Sequence, residues 1–138
     1  MTAIYILDAC AVLAVLGQEP GADKVVEIYK KASSGEVALV MNKLNLLEVY
    51  YTLYRVYGKE QADRFLEEFK QSPITISSEI SDEIFTEAGR LKASYKISLA
   101  DAIALAQTLI SGGELLTADH HEFDVIEKHE NIRFNWIR

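Results

Sequence analysis

Ile4-Tyr5-Ile6-Leu7-Asp8-Ala9-Cys10 runs four large apolar residues, two of them β-branched, straight into an acid. The run is too short for a buried helix and has strand composition, so it reads as a central strand covered on both faces. Asp8 then stands at the strand's carboxyl end. In open α/β sheets that edge is where ligands bind, because the loops and helix N-termini that follow the strands open a crevice there. The rest of the chain is read for what joins Asp8 at that edge.

A chain of 138 residues, 49% hydrophobic and 25% charged, is long enough for one buried core and too short for two, so residues 1–138 are expected to form a single domain. No apolar run approaches the roughly 20 residues of a membrane span. The N-terminus lacks the basic region and small-residue cleavage site of a signal peptide, which places the protein in the cytoplasm. The single Cys10 excludes an internal disulfide and a Cys-based metal site, and reads as a small apolar filler. A net charge of -7 opposes binding to a phosphate backbone. Carboxylates gathered to hold divalent cations nevertheless count as negative in that sum while acting as neutralised once the cation is bound.

Along the chain, strand and helix signals alternate without repeat or linker. Ala11 to Leu16 continues apolar up to a break at Gly17, Pro20 and Gly21. Helical spacing runs from about Ala22 to Ala32, and Val37 to Met41 is a second strand. Asn42 to Tyr57 is helical with apolar residues around nearly its whole circumference, the pattern of a helix that is buried on several sides or meets a partner. Glu48 lies in its first two turns, where burying an unpaired carboxylate would be costly. Gln61 to Lys70 is a further helix, and Ile74-Thr75-Ile76 after Pro73 an edge or connecting segment. Ile80 to Tyr95 and a helix opened by Ile97-Ser98-Leu99-Ala100-Asp101 follow. Leu115-Leu116-Thr117 is a short strand ending in Asp119, His120 to Lys128 a short helix, and Ile132-Arg133-Phe134 a last strand. Such alternation means right-handed crossovers and a mostly parallel sheet in a three-layer α/β/α sandwich.

In that topology Asp8 and Asp119 each close a strand, and the helix bearing Glu48 starts at the same carboxyl edge. Asp101 joins them only if its helix, which follows another helix, runs back obliquely across the sheet. Each acid also has a plainer reading. Asp8 fits a strand-ending turn, Ser98-x-x-Asp101 fits a variant capping box, Glu48 fits a solvated helix position, and Asp119 fits the N-cap of the helix at His120.

Four segments resemble the acidic motifs of the PIN domain: Asp8-x-Cys10-Ala11-Val12-Leu13, Leu46-Leu47-Glu48-Val49, Leu99-Ala100-Asp101-Ala102-x-x-x-Ala106 and Leu116-Thr117-Ala118-Asp119-x-x-x-Phe123. The resemblance spans essentially the whole chain and is nearest to the VapC toxins of prokaryotic toxin–antitoxin pairs. It implies a metal-dependent ribonuclease acting on RNA, commonly a homodimer inhibited by an antitoxin protein, and it brings Asp101 to the crevice. Cys10 departs from the pattern, because many relatives carry Ser or Thr there and a thiol is a weaker donor. Lys43, Arg55 and Lys59 are the basic side chains that would line an approach for RNA.

Four carboxylates in one crevice stay ionised only if something offsets their repulsion, and a hard cation does so. Mg²⁺ or Mn²⁺ takes oxygen ligands and keeps several waters. Asp8 and Asp101 are expected as principal ligands, with Glu48 and Asp119 completing the set directly or through water and Thr117 orienting Asp119. His120, His121 and His129 read as surface imidazoles. Phosphoryl transfer through an Asp8 nucleophile is disfavoured, because the usual second acid two residues on is replaced by Cys10. A non-catalytic PIN-like interaction module, using the tyrosine-rich helix from Glu48 to Tyr57, is the principal alternative.

Overall fold

The computed structural model describes residues 2–138. Five strands form one sheet in the order β3-β2-β1-β4-β5, and every neighbouring pair is parallel. The opening stretch is β1, Ala3–Leu7, and it occupies the centre. Its alternation divides the core: Leu7 packs into the cluster on one face and Ile6 into the cluster on the other. Leu116 and Leu115 of the neighbouring β4, Glu114–Thr117, repeat that division. The remaining strands are β2 (Val37–Asn42), the short edge strand β3 (Thr75–Ser77) and β5 (Arg133–Trp136).

One face carries α1 (Ala9–Leu16), α2 (Ala22–Ser33), α3 (Lys43–Tyr57) and α4 (Lys59–Lys70). The other carries α5 (Asp82–Ser94), α6 (Leu99–Ser111) and α7 (His120–His129). Seven helices on two faces of a parallel sheet make the expected three-layer α/β/α sandwich. The strand order reverses at β1, where the chain first builds outward through β2 and β3 and then returns to add β4 and β5 on the other side. Connections diverging from such a switch point leave a crevice at the carboxyl ends of the strands. None of the described helices is long and apolar enough to cross a membrane.

The apolar run after β1 is helix α1. Ala9, Ala11, Val12 and Ala14 are buried, and the segment is so uniformly apolar that no helical stripe marks it in sequence. Gly21, at φ +94, starts α2 where a Cβ would stand 2.5 Å from the carbonyl oxygen of Ile137, so a side chain there would both strain the backbone and collide with the C-terminal segment.

Candidate functional site

Four helix N-termini meet at the carboxyl edge of the sheet, each with a polar residue at its cap. Asp8 caps α1, accepting from the Ala11 N–H at 2.9 Å, and Asp119 caps α7, accepting from the Glu122 N–H at 3.2 Å. Ser98 caps α6 through the Asp101 N–H (3.1 Å), and Asn42 caps α3 through the Asn45 N–H (2.8 Å). The partial positive charge of helix N-termini favours acids at such positions. The plainer reading of Asp119 as an N-cap is therefore realised, whereas Asp8, read plainly as a strand-ending turn residue, is the N-cap of α1. For Ser98 and Asp101 the backbone half of the capping box forms.

The same residues face one another. Asp8, Glu48, Asp101 and Asp119 line a single cleft of about 680 Å³, together with Cys10, Asn45, Tyr51, Lys92, Lys96, Ser98 and Glu122. Asp101 reaches it because α6 begins there: its N-cap Ser98 lines the cleft, as do Lys92 and Lys96 from the end of α5 and the turn after it.

Asp8 is 2% exposed, and its pKa is pushed up from 3.8 to about 7. Burial is the main cause, and the Asp101 and Asp119 charges add to it, while hydrogen bonds from Thr117 and the Ala11 N–H work in the other direction. Asp101 is raised to about 6, chiefly by burial and further by Glu48, Asp119 and Glu122, against the hydrogen bond with Ser98. Burial also raises Glu48. Two carboxyls held near neutral by desolvation and mutual repulsion are the signature of a site that favours added positive charge.

Thr117, fully buried at the end of β4, serves both strand-end acids: its Oγ1 accepts from the Asp119 N–H at 3.1 Å, and its hydroxyl hydrogen-bonds Asp8. Asn45 is the residue that sequence reasoning missed. It is fully buried, its Oδ1 accepts from the Ala9 N–H at 3.3 Å, and its Nδ2 donates to the Ala100 carbonyl at 3.1 Å. One amide thus ties the start of α1, beside Asp8, to the start of α6, beside Asp101. The signal was an Asn one turn into an apolar helix, where a buried amide needs partners.

The basic residues lie elsewhere than expected. Lys92 and Lys96 line the cleft, whereas Lys43 lines the neighbouring apolar groove and Lys59 pairs with Asp63. Arg55 stacks over the ring of Tyr51, 5.4 Å from its centroid, and so comes only to the rim. His120 stacks on Trp136 at 3.8 Å, His121 is exposed, and neither lines the cleft.

The donors facing the cleft are carboxylate oxygens with a single thiol, Cys10, and no imidazole, a set that suits Mg²⁺ or Mn²⁺ better than zinc. Among the described residues no three His, Cys, Asp or Glu side chains already stand in ligating geometry.

A three-layer α/β/α domain with an acidic cleft at its switch point is the class that fold and site define. The PIN domain model matches residues 5–128, and the chain belongs to that family. No curated protein matches the sequence. Among solved structures, VapBC-1 from nontypeable Haemophilus influenzae is similar at a TM-score of 0.72 and 18% identity, covering 97% of this chain and 98% of that one. A toxin–antitoxin complex from Klebsiella pneumoniae is similar at 0.62 and 20%, covering 88% and 90%. Mycobacterium tuberculosis VapC20, a toxin that cleaves the sarcin–ricin loop, is similar at 0.63 and 14%, covering 88% and 94%. At these identities the likeness is one of fold.

Proposed function

We propose that this chain is a metal-dependent endoribonuclease that hydrolyses RNA phosphodiester bonds, and that it is the toxin of a toxin–antitoxin pair. The observation that carries the reading is the convergence of Asp8, Glu48, Asp101 and Asp119, drawn from four distant segments, on one cleft at the switch point. Membership of the PIN family and the likeness to a toxin–antitoxin complex and to an RNA-cleaving toxin support it.

Asp8 and Asp101 would be the principal ligands of Mg²⁺ or Mn²⁺, with Glu48 and Asp119 completing the set directly or through water. A cation held by these residues would supply a more acidic water for attack on a phosphodiester and positive charge beside the phosphate. The chain's part is to hold the acids in place beforehand. Thr117 takes the Asp119 N–H at the end of β4, and Asn45 ties the two helix starts together. Pre-set oxygens need no reorganisation when charge develops, which is where preorganised sites gain most of their effect. The acidic cleft also accounts for part of the net charge of -7, so that figure does not describe the surface an RNA would meet.

The partners are an antitoxin protein and a second copy of the chain in a cytoplasmic homodimer. On α3, Leu47, Tyr54, Val56 and Tyr57 are between 45% and 67% exposed, an apolar surface that favours burial between proteins. That surface also favours the alternative of a non-catalytic interaction module, which predicts no stabilisation by Mg²⁺ or Mn²⁺.

The test is cleavage of RNA by purified protein with Mn²⁺ or Mg²⁺. Asp8→Asn and Asp101→Asn should each abolish it while circular dichroism stays unchanged. Undiminished cleavage by the Asp8→Asn protein removes the assignment.

A further inference from the structure

The acidic cleft has a positive wall. Lys92, in the last turn of α5, and Lys96, just beyond it, line the same opening as the four carboxylates, and both are exposed. Among the described residues neither takes part in an ion pair, as is true of most basic side chains of this chain; what sets these two apart is their place on the wall of the cleft. Two ammonium groups left unpaired beside so much negative charge are available to an anion arriving from solvent.

Their support is rigid. Between them, the Tyr95 hydroxyl donates to Glu130 at 2.6 Å, and Glu130 also takes Arg90 Nη2 at 2.7 Å, which anchors the end of α5 to the end of α7. Tyr51 lines the same cleft three residues after Glu48 on α3, and its side chain belongs to a residue that is 45% exposed. The Arg55 guanidinium buttresses that ring at 5.4 Å, within the range of a cation–π contact. An aromatic face held in place at the mouth of a cleft suits a planar partner.

We propose that Lys92, Lys96 and Tyr51 form the substrate clamp of this site: the two ammonium groups take backbone phosphates flanking the scissile bond, and the Tyr51 ring stacks an unpaired base. The clamp rests on the nuclease reading above and assigns residues of this chain to the two parts of a strand, its phosphates and its exposed bases. A base in an A-form duplex stays in its stack and offers no face to a ring. Single strands, by contrast, are held by a positive track combined with aromatic platforms.

Binding tests the clamp independently of cleavage. The full chain carrying Asp101→Asn is titrated into a short fluorescein-labelled single-stranded RNA, and into the same strand annealed to its complement, at several salt concentrations. Each phosphate contact in a single strand contributes about 0.7 to the slope of log affinity against log salt, so adding Lys92→Gln and Lys96→Gln should lower the slope by about 1.4. Lys92→Arg with Lys96→Arg should restore it. Tyr51→Ala should weaken single-strand binding by roughly tenfold, the scale of one stacked base, and Tyr51→Trp should not. Duplex binding should be weaker and indifferent to Tyr51→Ala. Lys92, Lys96 and Tyr51 are exposed positions, and circular dichroism checks the folding of every variant.

An unchanged slope in the double glutamine variant overturns the phosphate role. A Tyr51→Ala protein that binds RNA as before but sediments differently assigns the ring to a protein contact and overturns the stacking role. If the unsubstituted chain cuts RNA and the clamp variants bind as their parent does, only the clamp falls. If the unsubstituted chain neither binds nor cuts RNA, the nuclease reading falls and the clamp falls with it.

Discussion

Replacing Asp8 by Asn should make the metal-free protein more stable, and increasingly so as pH rises. Asp8 is 2% exposed, with its pKa raised from 3.8 to about 7 by burial and by Asp101 and Asp119. A carboxyl whose folded-state pKa lies above its unfolded value gives stability that is fully present below the unfolded value and lost as pH rises through the folded one. From 3.8 to about 7 at roughly 1.36 kcal/mol per pH unit, keeping Asp8 ionised costs the fold about 4 kcal/mol, spread between about pH 4 and pH 8. Asparagine carries no charge and its carbonyl oxygen can still accept from the Ala11 N–H, so the helix cap survives. The assay is urea denaturation of both proteins in chelator. Near pH 4 the two should be within about 1 kcal/mol of each other, and near pH 8 the Asn protein should lead by several kcal/mol, which for a domain of this size is roughly 10 °C in Tm. Groups whose pKa is lowered, such as Glu130 beside Arg90, act in the opposite sense at acid pH but are common to both proteins and cancel. An Asn protein no more stable than its parent at pH 8, or a difference that does not move with pH, would refute the electrostatic account of the cleft.

Further outcomes follow from the same contacts. Asn45→Ala leaves the Ala9 N–H and the Ala100 carbonyl unpaired in the interior and should lose about 2–4 kcal/mol of stability by denaturant titration, with RNA cleavage falling further than in Thr52→Ala, a half-buried control that bonds only the backbone of its own helix. Thr117→Val, nearly isosteric, should cost about 1–3 kcal/mol and push the Asp8 titration higher still, whereas Thr117→Ser should restore both, as read from the pH dependence of stability. Leu47→Asp with Tyr54→Asp, both on the exposed face of α3, should convert a dimer to monomer in sedimentation velocity without unfolding it; a parent that is monomeric at high concentration contradicts that surface as a subunit interface.

The strands that carry the site were legible because burial on both faces writes itself as short unbroken apolar runs, as in Ile4–Leu7 and Leu115–Thr117, and the acid ending each marks the ligand-binding edge. The tyrosine-rich helix was legible to within a residue, since Asn42 turns out to be its N-cap and the last residue of β2 at once. Helix α1 was not, because Ala9–Leu16 is apolar on every side and shows no period. Asp101 resisted chain-order reasoning: strand–helix–strand logic does not say at which edge the second of two consecutive helices starts, and only the packing of α5 against α6 sets it. Asn45 and the two lysines were missed for different reasons. A single amide says nothing in sequence about which backbone groups it will bridge, and the lysines belong to the cleft through the packing of α5 on α6, a tertiary fact with no local pattern.

Calorimetric titration of Mn²⁺ into the metal-free chain tests the central claim most directly, because it asks whether the acids converge to hold a cation. Saturable binding to the parent protein, lost in Asp8→Asn and in Asp101→Asn while both remain folded, is the expected result. A parent that takes up no Mn²⁺ or Mg²⁺, or variants that bind it as well as the parent does, would contradict the claim.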